Sequence, residues 1–447
     1  MAHKIGSLGS PGGLMAALGL SFLFGMALAA SADAGGSALD RLKALYARPD
    51  RIPFPVENPY SPAKAELGRR LFHDPVLSGN GTMSCASCHQ IELGFEQGVP
   101  LGTGTAGEEL DRHTPTLWNV AWGETFFWDG RAPSLEAQAM MPIQSRVEMN
   151  QSMDVVVSDL KADADYRAAF ARAFPENPDV TAGRIFEALA TFERTLVPAP
   201  DRFARWIDGE EDALDAPEKR GFVLFNGKAR CARCHAGFAF TDGAFHDIGL
   251  ADEDDPGRGA VIGVAEASHA FKTPTLIDVA DRAPYMHDGS LPDLQAVLDH
   301  YQSGIVARPT LSPDLQPITL SEQERSDLIA FLESLDVSNP MEEREIAVLA
   351  GPPLPPAADA EPVETDRIVQ QDLAFMPGRV MVEAGAPVSV LNDDTRTHTV
   401  DVNDPKLKFT SGANKPGEKV EIIFPEPGDY TVVCSIHPRM RLHVEAR

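Results

Sequence analysis

Two rhythms of apolar residues divide the chain. Residues about 37–210 and 216–340 carry helical patterning broken by loops. The stretch Pro62-Ala-Lys-Ala-Glu-Leu-Gly-Arg-Arg-Leu-Phe72 is one such predicted helix. Beyond residue 366 the pattern changes to short β-branched runs separated by Gly, Pro, Asn and Asp. Arg379-Val-Met-Val-Glu383, Val388-Ser-Val-Leu391, Val420-Glu-Ile-Ile-Phe424 and Tyr430-Thr-Val-Val-Cys434 are examples. Regular short strands with turn signals predict a small β-sandwich over 366–447. Between the two regimes, residues 346–365 are rich in Pro and Ala, which predicts an extended, semi-rigid linker.

The helical part is doubled. Each half has a helix ending in Leu-Phe (Leu71-Phe72, Leu224-Phe225), then Cys-x-x-Cys-His, then Thr-Pro-Thr-Leu (Thr114 to Leu117, Thr273 to Leu276). This order indicates an internal duplication of one helical module.

Length and composition set bounds around this pattern. A chain of 447 residues is long enough for about three domains. The net charge of −27 argues against nucleic-acid or anionic-membrane partners and weakly favours a basic protein partner. The first 32 residues read as a signal peptide: Lys4 is basic, Leu14 to Ala29 is apolar, and Ala30-Ser31-Ala32 is a cleavage site. The apolar run is short for a spanning helix, and no later segment could cross a bilayer. The expected product is a soluble periplasmic protein that is not membrane-embedded.

Five cysteines are an odd count for an exported protein, but spacing accounts for all of them. Cys85-Ala-Ser-Cys88-His89 and Cys231-Ala-Arg-Cys234-His235 have the spacing of covalent haem attachment. Two thioethers hold the porphyrin edge, and the adjacent histidine reaches the iron. A zinc site would want its two cysteine pairs close together, and a redox disulfide would want a βαβ context; neither is present.

Several motifs then occur in order: Leu71-Phe-His-Asp-Pro-Val-Leu-Ser-Gly-Asn-Gly-Thr-Met-Ser-Cys85, Phe127-Trp-Asp-Gly-Arg-Ala132 and Ala283-Pro-Tyr-Met-His-Asp-Gly289. Over residues 38–340 the chain resembles the bacterial di-haem cytochrome c peroxidases and their MauG relatives, which oxidise protein residues during cofactor maturation. The resemblance implies that Trp128 relays electrons between the haems, that Gln138 is a distal-pocket glutamine, and that Glu148 is the distal acid. A carboxylate over an open iron site can take a proton from one peroxide oxygen and return it to the other. On spacing alone, Trp128 would read as a core aromatic and Glu148 as a solvated surface residue.

Two departures sort the chain within that family. The peroxidases place a distal histidine 23 residues before the tryptophan, where this chain has Thr105. The first haem is therefore expected to be open to peroxide at rest; His113 nearby reads as a loop histidine near the interdomain site, with a substitute ligand as the alternative. The peroxidases also place a methionine 14 residues after the histidine of His-Asp-Gly; that position here is Tyr301, as in MauG-like members. Tyr301 is the expected second ligand of the haem attached at Cys231 and Cys234, with Met286 as a rival. Phenolate lowers the potential relative to methionine. The resemblance further implies one Ca²⁺ between the haem domains, matched by the Arg282 and Pro284 carbonyls, although His113 stands where the family has asparagine.

The last motif is Cys434-Ser-Ile-His437-Pro-Arg-Met440, with His398 upstream. One thiolate, two imidazoles and a weak thioether make a type 1 copper set. The stretch Pro377 to Val444 resembles plastocyanin-like cupredoxins, with an amicyanin-type ligand loop. That likeness implies that His437 is an exposed ligand through which electrons leave. A zinc site or a free thiol is the alternative.

Together these readings predict a multidomain chain: two mainly-α cytochrome c-type haem domains followed by a small all-β cupredoxin sandwich. The expected cofactors are two covalent haem c groups and one copper. The expected function is a periplasmic peroxidase that reduces hydrogen peroxide, with the copper domain passing electrons to the haems. One alternative is a MauG-like oxidase acting on a partner protein; another is an electron carrier without peroxide chemistry. Its partners would be peroxide and either a small periplasmic electron donor or a protein substrate.

Overall fold

The computed structural model describes residues 38–251, 254–352 and 361–447. The expected signal peptide lies outside them. From Leu42 to Arg447 the chain forms one unit, with two helical parts followed by an all-β part.

The first helical part carries α1 (Pro62–Phe72), α2 (Leu135–Gln144) and α3 (Ala182–Glu193); the second carries α4 (Ala216–Asn226) and α5 (Glu322–Glu333). Helix α1 starts where the Ser61 hydroxyl accepts the Lys64 N–H and Pro62 occupies the first turn. Helix α4 starts with a reciprocal cap between Asp215 and Glu218.

Each part packs its Leu-Phe helix against a later one through a glycine. A Cβ on Gly68 would lie 1.9 Å from the Ala188 carbonyl oxygen of α3, and one on Gly221 would lie 2.1 Å from the Asp327 carbonyl oxygen of α5. Neither backbone can retreat that far without opening a close-packed core. The two glycines hold equivalent places before Phe72 and Phe225, so the duplication extends to the packing.

The expected linker begins as ordered structure. Helix α6 (Glu343–Leu349) buries Ile346 among Ile52, Phe54, Val197 and Met341, and Ala350–Gly351 pairs in parallel with Ile52–Pro53. The apolar run Ile346-Ala-Val-Leu349 thus anchors on the first helical part instead of extending from it. Residues 353–360 of that stretch lie outside the described residues.

The described residues of the C-terminal part form ten strands: β1 (Val363–Glu364), β2 (Arg367–Gln371), β3 (Ala374–Met376), β4 (Arg379–Val382), β5 (Pro387–Asn392), β6 (Asp401–Asp404), β7 (Leu407–Thr410), β8 (Lys419–Ile423), β9 (Gly428–Val433) and β10 (Arg441–Ala446). They form two sheets, ordered β7-β6-β9-β10-β4-β1 and β8-β5-β2-β3. Alternation places Val388, Val390, Tyr430, Val432, Leu442 and Val444 in the shared core. This is a cupredoxin sandwich, and the ligand loop joins β9 to β10.

The sandwich is docked on the second helical part. Arg258 donates to the Ser435 carbonyl from Nε at 2.9 Å and from Nη2 at 2.7 Å. Its Nη1 donates to the Asp129 and Gly130 carbonyls at 3.0 and 2.9 Å. Arg396 makes a two-pronged pair with Asp314 at 2.6 and 2.5 Å. Lys415 pairs with Glu266 and Arg441 with Glu124. Val264 and Ala267 join the apolar core of the sandwich.

Candidate functional site

The two Cys-x-x-Cys-His segments share one local geometry. His89 Nδ1 lies 2.9 Å from the Phe95 carbonyl, and His235 Nδ1 lies 3.0 Å from the Phe240 carbonyl. Both phenylalanines adopt left-handed backbone, at φ 63° and 49°, which turns each carbonyl back toward its histidine. A bond from Nδ1 to a carbonyl leaves Nε2 as the ligating nitrogen and fixes the ring. The repeated Thr-Pro-Thr-Leu supplies the other side: Pro115 lies against His89 and Pro274 against His235.

Cys85, Cys88 and His89 open onto a cavity of about 900 Å³, also lined by Trp128, Gln138, Glu148, Arg131 and Glu193. That is enough room for a porphyrin, and the thiols stand at its edge. Gln138 projects from α2, while Glu148 follows the end of that helix. Burial pushes the Glu148 carboxyl above its ordinary range, and the Arg131 charge opposes the shift. Thr105 is tied to the backbone beside the cavity. Its N–H and its hydroxyl both donate to the Glu148 carbonyl at 2.9 Å, which ties down the backbone of the expected acid.

Trp128 sits at the seam of the helical parts. Its indole N–H donates to the His113 carbonyl at 2.8 Å, its own carbonyl accepts from Lys272 N–H at 2.7 Å, and its ring is 6.4 Å from that of His287. His113 is buried against Glu96 at 2.9 Å, and Glu96 also takes Arg282 Nη1 at 2.5 Å. Burial lowers the His113 pKa, but Glu96 outweighs it and holds the imidazole above its usual range. His113, Glu96 and Arg282 thus form one buried ion-pair cluster, and Arg282 belongs to the segment whose carbonyls were expected to meet calcium.

The second haem position gathers Cys231, Cys234, His235 and Tyr301. Tyr301 lies in a wide turn, His300–Gly304, packed on the helical core. Burial first, then the nearby Cys234 and Cys231, raises its phenol well above the ordinary range. Asp242 and His246 lie against the same attachment: ligand atoms of Cys234, Asp242 and His246 fall within 4.8 Å of one another. The sequence held no signal for His246, Asp242, Glu193 or Arg258.

In the sandwich, His398, Cys434 and His437 are buried together. Their Nδ1 atoms are 3.1 Å apart, and Cys434 Sγ is 3.8 Å from His398 Nδ1 and 3.6 Å from His437 Nδ1. A point equidistant from all three lies about 2 Å from each, close to metal–imidazole bond lengths. The three residues therefore fit a metal ion. Thr399 N–H donates to Cys434 Sγ at 3.3 Å, and His398 Nε2 meets Asp394 at 3.2 Å. Burial works against the Asp394 carboxylate, but bonds from Leu373 N–H, His398 and Thr395 N–H hold its pKa down to about 2. Met440 is buried in the same loop, its N–H donating to the His437 carbonyl at 2.8 Å. His437 is only 6% exposed, contrary to the expected solvent-facing ligand, because the second helical part covers it.

This fold, with paired haem-attachment segments around a central tryptophan, is that of a di-haem oxidoreductase. A family model described as di-haem cytochrome c peroxidase matches residues 62–212, and one described as cytochrome c matches residues 218–336. The methylamine utilization protein MauG of Methylorubrum extorquens is 50% identical over 311 residues, 69% of this chain and 88% of that one. The cytochrome c551 peroxidase of Pseudomonas aeruginosa is 32% identical over 314 residues, 67% of this chain and 87% of that one. The crystal structure of a MauG-like protein associated with microbial copper homeostasis superposes with a TM-score of 0.62 at 33% identity, over 67% of this chain and 96% of that one. The chain belongs to the di-haem cytochrome c peroxidase and MauG family, with a cupredoxin sandwich following the family region. Membership supports two haems. Among the described residues no helix is long and apolar enough to cross a membrane.

Proposed function

We propose that the chain is a periplasmic di-haem peroxidase that reduces hydrogen peroxide and carries its electron donor in the fused copper domain. The carrying observation is that Glu148 and Gln138 line the same cavity as Cys85, Cys88 and His89. A haem held there would supply an iron site for peroxide. Glu148, half-buried with a raised pKa, is suited to take the proton from one peroxide oxygen and return it to the other. Gln138 offers an amide to orient the bound oxygens, and Arg131 sets the charge beside Glu148. Trp128 bridges the two haem parts by its hydrogen bonds.

Cys231, Cys234 and His235 would hold the second haem, with Tyr301 as its other ligand. His398, Cys434 and His437 would hold copper, with Met440 as the weak axial group. One peroxide, two electrons and two protons give two waters, and a small periplasmic carrier replenishes the electrons. The experiment is an anaerobic peroxide titration of the fully reduced protein, read by EPR. The reading expects two electrons lost per peroxide and a cupric signal appearing. Peroxide left unconsumed would contradict it.

A second reading is oxidation of a partner protein in the MauG manner. Tyr301 at the methionine position favours it, as does the 50% identity to a MauG protein. In that case peroxide equivalents would disappear while copper stayed reduced.

A further inference from the structure

The ligand loop of the sandwich meets the second haem part through one short segment. Phe245 N–H donates to the Ile436 carbonyl at 3.3 Å. The next residue on each side brings His246 to His437, with ring centroids 6.4 Å apart and planes inclined by 56°. His246 Nε2 lies 2.8 Å from Asp242 Oδ2, and its Nδ1 lies 3.3 Å from Ser312 Oγ. Asp242 N–H donates to the Cys234 carbonyl at 2.8 Å. His246 and Asp242 both have ligand atoms within 4.8 Å of the Cys234 sulfur. One imidazole and one carboxylate therefore fill the space between a copper ligand and a haem-attachment cysteine.

We infer that His246, held by Asp242, is the positioning residue that couples the copper site to the second haem. The inference rests on the donor reading above. Electrons cross proteins more readily along bonds and packed groups than across gaps; here the Phe245 N–H bond to the Ile436 carbonyl joins the two segments, and the His246 ring packs beside that of His437. Each electron passed converts Cu(I) to Cu(II) and reduces the peroxide-oxidised haem pair by one. One copper holds one electron, so the small periplasmic carrier re-reduces it between two such passages, which with two protons match the reduction of one peroxide to two waters.

The loop also reaches the first cavity, through Pro438 and Arg439. Neither is in the copper set. Arg258 on the Ser435 carbonyl and Arg396 on Asp314 hold the His437–His246 spacing from two sides. Arg396 also pairs with Asp394, which contacts ligand His398, and Asp314 lies 3.7 Å from Arg233 within the second haem-attachment segment.

The test compares wild type, His246→Phe, His246→Gln and Arg439→Ala, all as full-length protein loaded with haem and copper. Copper is reduced, one equivalent of peroxide is mixed in, and the return of the blue absorbance is timed. His246→Phe keeps a ring but loses the bond to Asp242. It should slow the first-order return roughly 10–100-fold, as loss of an outer partner of a metal site does. The cupric EPR spectrum should stay unchanged, His246→Gln should recover part of the rate, and Arg439→Ala should match wild type. An unchanged rate in His246→Phe overturns the inference, as does a slowing accompanied by an altered cupric spectrum. Failure of copper oxidation in wild type overturns the donor reading and this inference together.

Discussion

The ring centroids of His437 and His246 lie 6.4 Å apart, so a proposed copper ligand expected to meet water meets the neighbouring domain instead. The relationship changes how the sandwich can work. A donor domain on a free tether must find its acceptor before each transfer. Here Arg258 and Arg396 hold the ligand loop in place, and a donor so held would need no encounter step.

Glu148→Gln should keep both haems and lower the rate of reaction with peroxide by roughly 10²–10⁴-fold. The pH profile follows from the raised carboxyl. Above its pKa, Glu148 is ionised and can accept the proton of peroxide. As pH falls through that pKa the group protonates and the rate drops, with a midpoint above the 4.5 of an ordinary glutamate. Stopped-flow Soret traces across pH would show this limb in wild type and its absence in Glu148→Gln.

Tyr301→Met should raise the potential of the haem attached at Cys231 and Cys234, since thioether favours the ferrous state more than phenolate does. Spectroelectrochemical titration reads this directly. An unchanged potential and low-spin spectrum would assign the ligand to Met286.

Glu193 predicts a stability effect. Burial pushes its carboxyl from 4.5 up to about 8, against the pull of Arg194, and its Oε2 has no hydrogen-bond partner. The folded state therefore keeps a proton that the unfolded chain releases. The stabilising contribution is complete below the unfolded pKa and is lost as pH rises toward about 8. Unfolding midpoints should decline over that window in wild type and decline less in Glu193→Gln.

Arg258→Met should loosen the docked sandwich. It strips donors from the buried Asp129 and Gly130 carbonyls, at about 1–3 kcal/mol for each acceptor left unpaired, and from the half-buried Ser435 carbonyl. Hydrogen exchange at the Phe245 amide should quicken while the sandwich core, read at β9 and β10, stays protected. Equal protection at Phe245 in the variant would mean that Arg258 does not hold the interface.

What was legible in the sequence follows from locality. Haem attachment needs two thiols and a histidine within five residues, and the copper loop needs Cys, His and Met at fixed short spacing. Both sets could be read from the chain alone, as could the strand alternation that builds the sandwich. The docking could not. Arg258 and Ser435 are 177 residues apart, and a guanidinium on a backbone carbonyl leaves no spacing to detect. His246 looked like any histidine after a haem motif, and Ile346-Ala-Val-Leu349 was masked by the prolines that follow it. Thr105 stood out against the family pattern, but its bond to the Glu148 carbonyl has no signature in the sequence.

The central claim is that copper and haem exchange electrons within one chain. The direct measurement is the rate of copper oxidation after one equivalent of peroxide, followed by the blue absorbance over a wide range of protein concentrations. The account predicts a first-order rate that does not change with concentration. A rate that rises in proportion to concentration, or copper that stays reduced while the peroxide is consumed, would contradict it.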